Sequence, residues 1–269
     1  MMRELFTYLK PYRNQIALIG GWVPYFLLEK YSNEEAVKHI GSLDVDFVLD
    51  IANIPGTAYK TILEILQERG FYHKKDRLNR EVPASFLKKV TLVSGDEIEV
   101  QVDFLAPEYG GSPKNKRHQV IQDMLARKGR GTDIVFKSYE VIHLSGAISN
   151  RAHVECDIKI ANVAACFIMK GIALRERTSE KDAYDLYMLA RYYKEGPKSV
   201  LEELSLLKHN KLMQEAMRNI EESFKKIDSI GTVSIIVFIG ETDNEGRIRL
   251  QRDVYEVIRF IVEGMKTMQ

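Results

Sequence analysis

Two carboxylates stand one residue apart in Gly41-Ser42-Leu43-Asp44-Val45-Asp46-Phe47-Val48-Leu49. Alternate side chains of a β-strand point to one face. Asp44 and Asp46 therefore project together, with Leu43, Val45, Phe47 and Leu49 as apolar neighbours. Acids held side by side repel each other unless a cation sits between them. A divalent metal does this well, and metals that carry phosphates take oxygen ligands. An isolated Asp-x-Asp most often marks an edge strand with two solvated acids. What turns the balance here is the company the pair keeps.

Gly20-Gly21 lies between a predicted strand and a predicted helix. Glycine permits a tight turn and close approach of a ligand to the backbone, and a helix N-terminus offers free N–H groups to an anion. No Gly-Lys-Ser/Thr follows and there is no third glycine, so the turn is neither a Walker loop nor a dinucleotide fingerprint. Asp103 stands in Val100-Gln101-Val102-Asp103-Phe104-Leu105, which alternates as a strand with Gln101, Asp103 and Leu105 on one face. If that strand lies beside residues 43–49, Asp103 becomes a third carboxylate of the same centre. Lys170 follows Phe167-Ile168-Met169 in a strongly apolar helix, and Lys181-Asp182-Ala183-Tyr184-Asp185-Leu186 follows soon after. On a helix, Lys181 and Asp185 share a face as an i,i+4 pair. Taken alone, that is a surface ion pair, and Lys170 is a lysine snorkelling at a helix edge.

The elements that must position these residues are legible in outline. Ile16–Ile19 reads as a buried strand, Trp22–Tyr31 as a helix with Pro24 tolerated in its first turn, and Leu43–Leu49 as a second strand. Thr57–Arg69 has helical periodicity closed by Gly70. Phe86–Val93 and Ile98–Leu105 alternate around Ser94-Gly95-Asp96-Glu97, a hairpin signal. Residues 133–145 read as one or two short strands. Helical periods then cover 158–176, 179–194, 198–206, 209–227 and 251–266, while 230–239 is apolar and β-branched and fits strand or helix equally. The expected fold is α+β: a mixed sheet flanked by helices, followed by a mostly helical C-terminal half. The expected divisions are an α/β domain at 1–112, a connecting region at 113–157 and a helical domain at 158–269.

The chain has 269 residues and a formal net charge of +1, which argues against a broadly cationic surface that coats nucleic acid. One segment, 114–131, is locally basic: Lys114, Lys116, Arg117, Arg127, Lys128 and Arg130 stand against Asp123. Such a run either meets a phosphate backbone or is a solvated loop. Cys156 and Cys166 lie in apolar-patterned sequence and read as core residues, not as a disulfide framework. Charges at Arg3, Glu4, Lys10 and Arg13 exclude a signal-peptide pattern. The longest apolar run, Thr232–Ile239, is too short to span a bilayer. The expectation is a soluble, cytoplasmic protein without a membrane partner.

In order along the chain come Gly20-Gly21, Ser42-Leu43-Asp44-Val45-Asp46, the strand acid Asp103, Lys170-Gly171-Ile172-Ala173-Leu174-Arg175 and Lys181-Asp182-Ala183-Tyr184-Asp185-Leu186. This series, over roughly residues 15–195, resembles the nucleotidyltransferase superfamily with its polymerase beta-like fold, and more closely the AbiEii-type toxins of toxin–antitoxin pairs. Trp22 stands where that pattern has a small residue or Thr. The resemblance implies transfer of a nucleoside monophosphate from an NTP to a hydroxyl, with Mg²⁺ or Mn²⁺ as cofactor. It implies Asp44, Asp46 and Asp103 as metal ligands. Gly20, Gly21 and Ser42 would hold the β- and γ-phosphates. Lys170 would neutralise the triphosphate, Lys181 would bind nucleotide, and Asp185 or Asp182 would orient Lys170 or the nucleoside. It further implies a tRNA end as acceptor and a cognate antitoxin as partner. A small-molecule acceptor, as in antibiotic nucleotidyltransferases, is the second reading. A catalytically degenerate fold that binds a partner protein is the third, against which the three acids and Lys170 speak.

Overall fold

The structure, a computed structural model, describes residues 2–34, 38–54, 60–92, 94–108, 118–148, 151–177 and 179–268, with His118 and Gln119 described by backbone alone. The protein is α+β, a mixed sheet with flanking helices and a mostly helical C-terminal half. It divides into two compact units, each assembled from two segments: Met1–Trp22 with Ser42–Ala161, and Val23–Gly41 with Asn162–Gln269. The region 113–157, set apart as a connection on sequence grounds, supplies in its described part strands of the first unit's sheet, and the change of unit falls at Ala161–Asn162.

Among the described residues the first unit holds nine strands: β1 (Ile16–Ile19), β2 (Asp44–Leu49), β3 (Tyr72–Lys75), β4 (Glu81–Thr91), β5 (Glu97–Pro107), β6 (His118–Ile121), β7 (Met124–Gly129), β8 (Tyr139–Ala147) and β9 (His153–Ala161). Helices α1 (Met2–Tyr8) and α3 (Ile62–Glu68) belong to the same unit. To the second unit belong α2 (Trp22–Tyr31) from Val23 onward, α4 (Val163–Glu176), α5 (Glu180–Tyr192), α6 (Pro197–Ser205), α7 (Lys211–Ser223), α8 (Ile230–Ile239) and α9 (Asn244–Thr267).

The sheet runs β3-β4-β5-β2-β1-β9-β8, and β7 joins β5 with β6 on its far side. β1 is buried along its whole length, as its unbroken Ile-Ala-Leu-Ile requires of a central strand. It pairs antiparallel with β2 and parallel with β9. β2 and β5 are parallel, with Asp44 opposite Gln101 and Asp46 opposite Asp103. One face of this pair is an aromatic core: Phe47 stacks on Phe104 at 5.5 Å, Phe6 of α1 meets Phe47 edge-on at 5.1 Å, and Phe86 meets Phe104 edge-on at 6.0 Å. The opposite face carries the acids, because the strand period of two allows no other arrangement once the phenylalanines face inward. At the far end of β5 the neighbour changes: β4 pairs as far as Ser85–Asp103, and β7 takes over from Leu105–Arg127.

In the second unit α4 is apolar on every side, and between Val163 and Ile172 all but Met169 are buried. Its N-cap Asn162 accepts from the Ala165 N–H at 2.9 Å. Gly171 faces α7 so closely that a Cβ there would lie 2.8 Å from the Ala216 Cβ and 3.0 Å from its carbonyl oxygen. The ambiguous stretch 230–239 is a helix, closed by Gly240 in the left-handed conformation with its N–H donated to Ile236 and Val237 carbonyls. No helix among the described residues is long and apolar enough to cross a membrane.

Candidate functional site

Within the first unit, the strand period and register bring three predicted acids onto one sheet face. Asp44 and Asp46 are two apart on β2, and Asp103 stands directly opposite Asp46 on β5. Asp44 is solvent-facing, Asp46 and Asp103 half-buried. The Asp44 carboxyl is held above its ordinary pKa by partial burial and by the charge of Asp103, with Lys74 opposing. The mutual repulsion expected of clustered acids is therefore felt between β2 and β5. Ser85 Oγ donates to one Asp103 oxygen at 2.5 Å and Gln101 Nε2 to the other at 2.8 Å, so that carboxylate is fixed in orientation. The amide of Gln101 is in turn set by Lys74, whose ammonium donates to its oxygen.

The Gly-Gly turn has a steric role at this face. Gly20 adopts φ +76°, a conformation that disfavours any residue with a Cβ. A Cβ on Gly20 would also lie 2.0 Å from Asp46 Oδ2 and 3.0 Å from Asp46 Cβ. The missing side chain thus makes room for the carboxylate. Gly21 is buried and Ser42 is half-buried two residues before Asp44.

The second unit gathers the other predicted residues into a separate charge network. Lys170 Nζ lies 2.5 Å from Asp185 and 3.1 Å from Asp182, with only 8% of its side chain exposed. Its charge is thus matched by two carboxylates and is not a free point charge of the kind the sequence suggested. Lys181 reaches Asp185 at 3.0 Å and Arg177 reaches Asp182 at 2.9 Å, so three cations share two acids. Burial acts to lower the Lys170 pKa, but Asp185 and Asp182 outweigh it and hold it above its ordinary value. Burial would raise Asp185 likewise, yet Lys170, the His39 hydrogen bond and Lys181 bring it down to about 2. Asp182 is lowered too: Lys170 and Arg177 overcome its burial. His39, wholly buried, hydrogen-bonds Asp185 through Nε2 at 2.8 Å and accepts the Gly41 N–H on Nδ1 at 3.0 Å. That acceptor role makes it the neutral Nε2–H tautomer, in line with a pKa lowered chiefly by burial.

The chain matches no protein-family model and no curated protein sequence. Its site is therefore read from its own residues. Sequence reasoning missed His39, which no motif marks, and Lys74 and Ser85, and it marked Arg127 only as one cation of the basic segment. Ser85 was within reach: the hairpin register that pairs Thr91 with Glu97 carries through to Ser85 and Asp103. The predicted basic segment is only partly covered, since Lys114, Lys116 and Arg117 lie outside the described residues, while Arg127, Lys128 and Arg130 lie at β7 and its end.

The donor set fits a hard cation. The three acids offer oxygen only, and the repulsion raising Asp44 is relieved by positive charge. Among the described residues no group of three His, Cys, Asp or Glu side chains is placed to hold a metal ion by itself. Mg²⁺ does not need one: it usually takes one or two carboxylates, keeps several waters and is completed by substrate phosphates.

Proposed function

We propose that the chain is a metal-dependent nucleotidyltransferase, moving a nucleoside monophosphate from an NTP to a hydroxyl acceptor, with an RNA end such as that of tRNA as the acceptor. The observation that carries the reading is the pairing of Asp46 with Asp103 beside Asp44, on a face where Gly20 leaves room for the Asp46 carboxylate. Mg²⁺ or Mn²⁺ bound by Asp44, Asp46 and Asp103 would neutralise phosphate charge and favour ionisation of the acceptor hydroxyl.

The chain's own groups supply the rest. The Gly20-Gly21 backbone and the Ser42 hydroxyl bind β- and γ-phosphate oxygens. Asp103, locked by Ser85 and Gln101, orients the acceptor side. The hydroxyl oxygen forms a bond to the α-phosphorus as the bond to pyrophosphate breaks, and its proton leaves to solvent. In the second unit, Lys170 serves to hold Asp182 and Asp185 in one geometry, with Lys181 and Arg177 as further counter-charges. Two free cysteines suit a reducing, cytoplasmic setting. A cognate antitoxin is the protein partner of this reading.

The test is incubation with each labelled NTP, Mg²⁺ or Mn²⁺ and total tRNA. Wild type is expected to transfer label, Asp46→Ala to lose transfer by about a hundredfold or more, and the surface control Glu222→Ala to change little. A wild type that neither labels RNA or a small hydroxyl acceptor nor gains stability with Mg²⁺ and NTP is a binding module, not a transferase.

A further inference from the structure

The face that carries Asp103 has a second feature that the transfer chemistry leaves unused. Between the pairs His73–Phe86 and Lys75–Glu81, one residue of β3 stands opposite four of β4. The excursion includes Pro83, which cannot donate to a ladder, and Ala84, which is buried at φ +62°. A left-handed conformation is uncommon for a residue with a Cβ and persists only where its surroundings enforce it. The bulge sits where β4 leaves β5 and before β7 replaces it. The strand exchange opens a cavity of about 170 Å³, lined among others by Lys74, Ala84, Ser85, Gln101, Asp103 and Arg127.

The lining defines what the cavity takes. Lys74 and Arg127 bring two positive charges against the single carboxylate of Asp103. Lys74 donates to the neutral amide of Gln101 and makes no ion pair there, although its charge also acts on Asp44 across the same face. Arg127 is exposed and pairs with no acid among the described residues. An arginine fork and a lysine point charge together suit phosphate oxygens. The volume lies below the roughly 300–1,000 Å³ of pockets that enclose a whole drug-sized ligand. It matches a phosphate group, not a nucleotide.

We infer that this cavity binds the phosphodiester next to the attacking hydroxyl of a nucleic-acid acceptor, and that Lys74 and Arg127 restrict the enzyme to anionic acceptors. The inference rests on the nucleotidyltransferase reading, with Asp103 on the acceptor side, and it sets aside polycationic small-molecule acceptors, which both side chains would repel.

The experiment is fluorescence anisotropy of a labelled single-stranded RNA with a free 3′-hydroxyl, without NTP, on wild type, Lys74→Gln, Arg127→Gln and the charge-preserving Lys74→Arg. Each charge-removing variant should bind about ten- to a hundredfold more weakly, as for a lost charge-assisted hydrogen bond. Lys74→Arg should recover most of the loss, and Glu222→Ala should bind as wild type. Because Arg127 is exposed, its variant separates lost binding from lost folding. Unchanged RNA binding in both glutamine variants, or no binding by wild type, overturns the inference. In active enzyme, the KM for RNA should rise in the variants while that for NTP stays constant. A rise confined to NTP would place the phosphate on the nucleotide and also overturn it. Absence of transfer by a wild type that still binds RNA through Lys74 and Arg127 defeats the transferase reading alone.

Discussion

At the scale of single residues, Gly20 and Asp46 form the tightest steric dependency of the candidate site. An alanine at Gly20 meets two separate costs. Its φ of +76° is unfavourable for a residue with a Cβ by about 1–2 kcal/mol. Its Cβ would also press on Asp46 Oδ2 at 2.0 Å, forcing the carboxylate to turn or β2 to shift. Gly20→Ala is therefore expected to lower stability in chemical denaturation and to weaken Mg²⁺ binding measured by calorimetry. In an Asp46→Ala background the clash with the carboxylate is removed, and the backbone part and a tight approach to the Cβ of residue 46 remain. The two substitutions should then be non-additive, the double variant being more stable than the sum of the singles predicts. Additive effects would show that the glycine serves the turn and not the carboxylate. The sequence made both residues visible as candidates. It did not disclose their contact, because the antiparallel register that sets Ile19 opposite Asp46 is a tertiary fact.

At the scale of elements, legibility followed the strength of the period. β2 and the β4–β5 hairpin alternate cleanly, so which residues share a face on each strand is legible from sequence, whereas the pairing of β2 with β5 that brings Asp103 to Asp44 and Asp46 is not. The strand β3 and the β6–β7 hairpin were not foreseen, since Tyr72-His73-Lys74-Lys75 is polar and the turn at Gln122-Asp123 lacks glycine. The stretch 230–239 was undecidable by period because it is apolar throughout, and the Gly240 cap settles it as a helix. Helix α4 shows a different limit: its apolar pattern predicts burial but not which neighbour it meets. The meeting is with α7, at Gly171 and Ala216. Gly171→Ala gains helix propensity of about 1 kcal/mol but places its Cβ against both the side chain and the backbone oxygen of Ala216. Backbone cannot yield as a side-chain tip can, so overpacking of about 1–3 kcal/mol wins. The expected outcome is a net loss of stability by urea titration, larger still for Gly171→Val. A stabilised Gly171→Ala would mean that α4 and α7 separate without cost.

At the scale of the whole molecule, the buried network of the second unit sets how stability varies with pH. Asp185 titrates at about 2 in the fold, below the usual carboxylate value near 4. A lowered acid contributes stability above its unfolded pKa and loses it as pH falls through the folded one, here worth about 2 kcal/mol between roughly pH 4 and 2. His39 is also lowered, being buried in its neutral form. Below about pH 6.5 the unfolded chain takes up a proton there that the fold resists, so stability falls on that side as well. Lys170 is raised, and its contribution is present below about pH 10.4 and is lost as pH climbs through its folded value. The signs together predict a plateau from about pH 6.5 to 8.5, above which the unfolded chain loses the Cys166 proton that burial retains in the fold, a first decline below it carried by His39 and a steeper one near pH 4 carried by the acids. Urea unfolding followed by circular dichroism at 222 nm across this range is the measurement. Removing the imidazole with His39→Gln should flatten the decline between about pH 6.5 and 5 while leaving the acid limb. Removing the acid with Asp185→Asn should weaken the limb near pH 4 but lower the plateau by about 3–5 kcal/mol, because a buried Lys170 then shares its charge with Asp182 alone. A wild-type profile that is flat from pH 7 to 3 would mean that these groups titrate in the fold as they do in the unfolded chain, and that the network holds no charge apart from water.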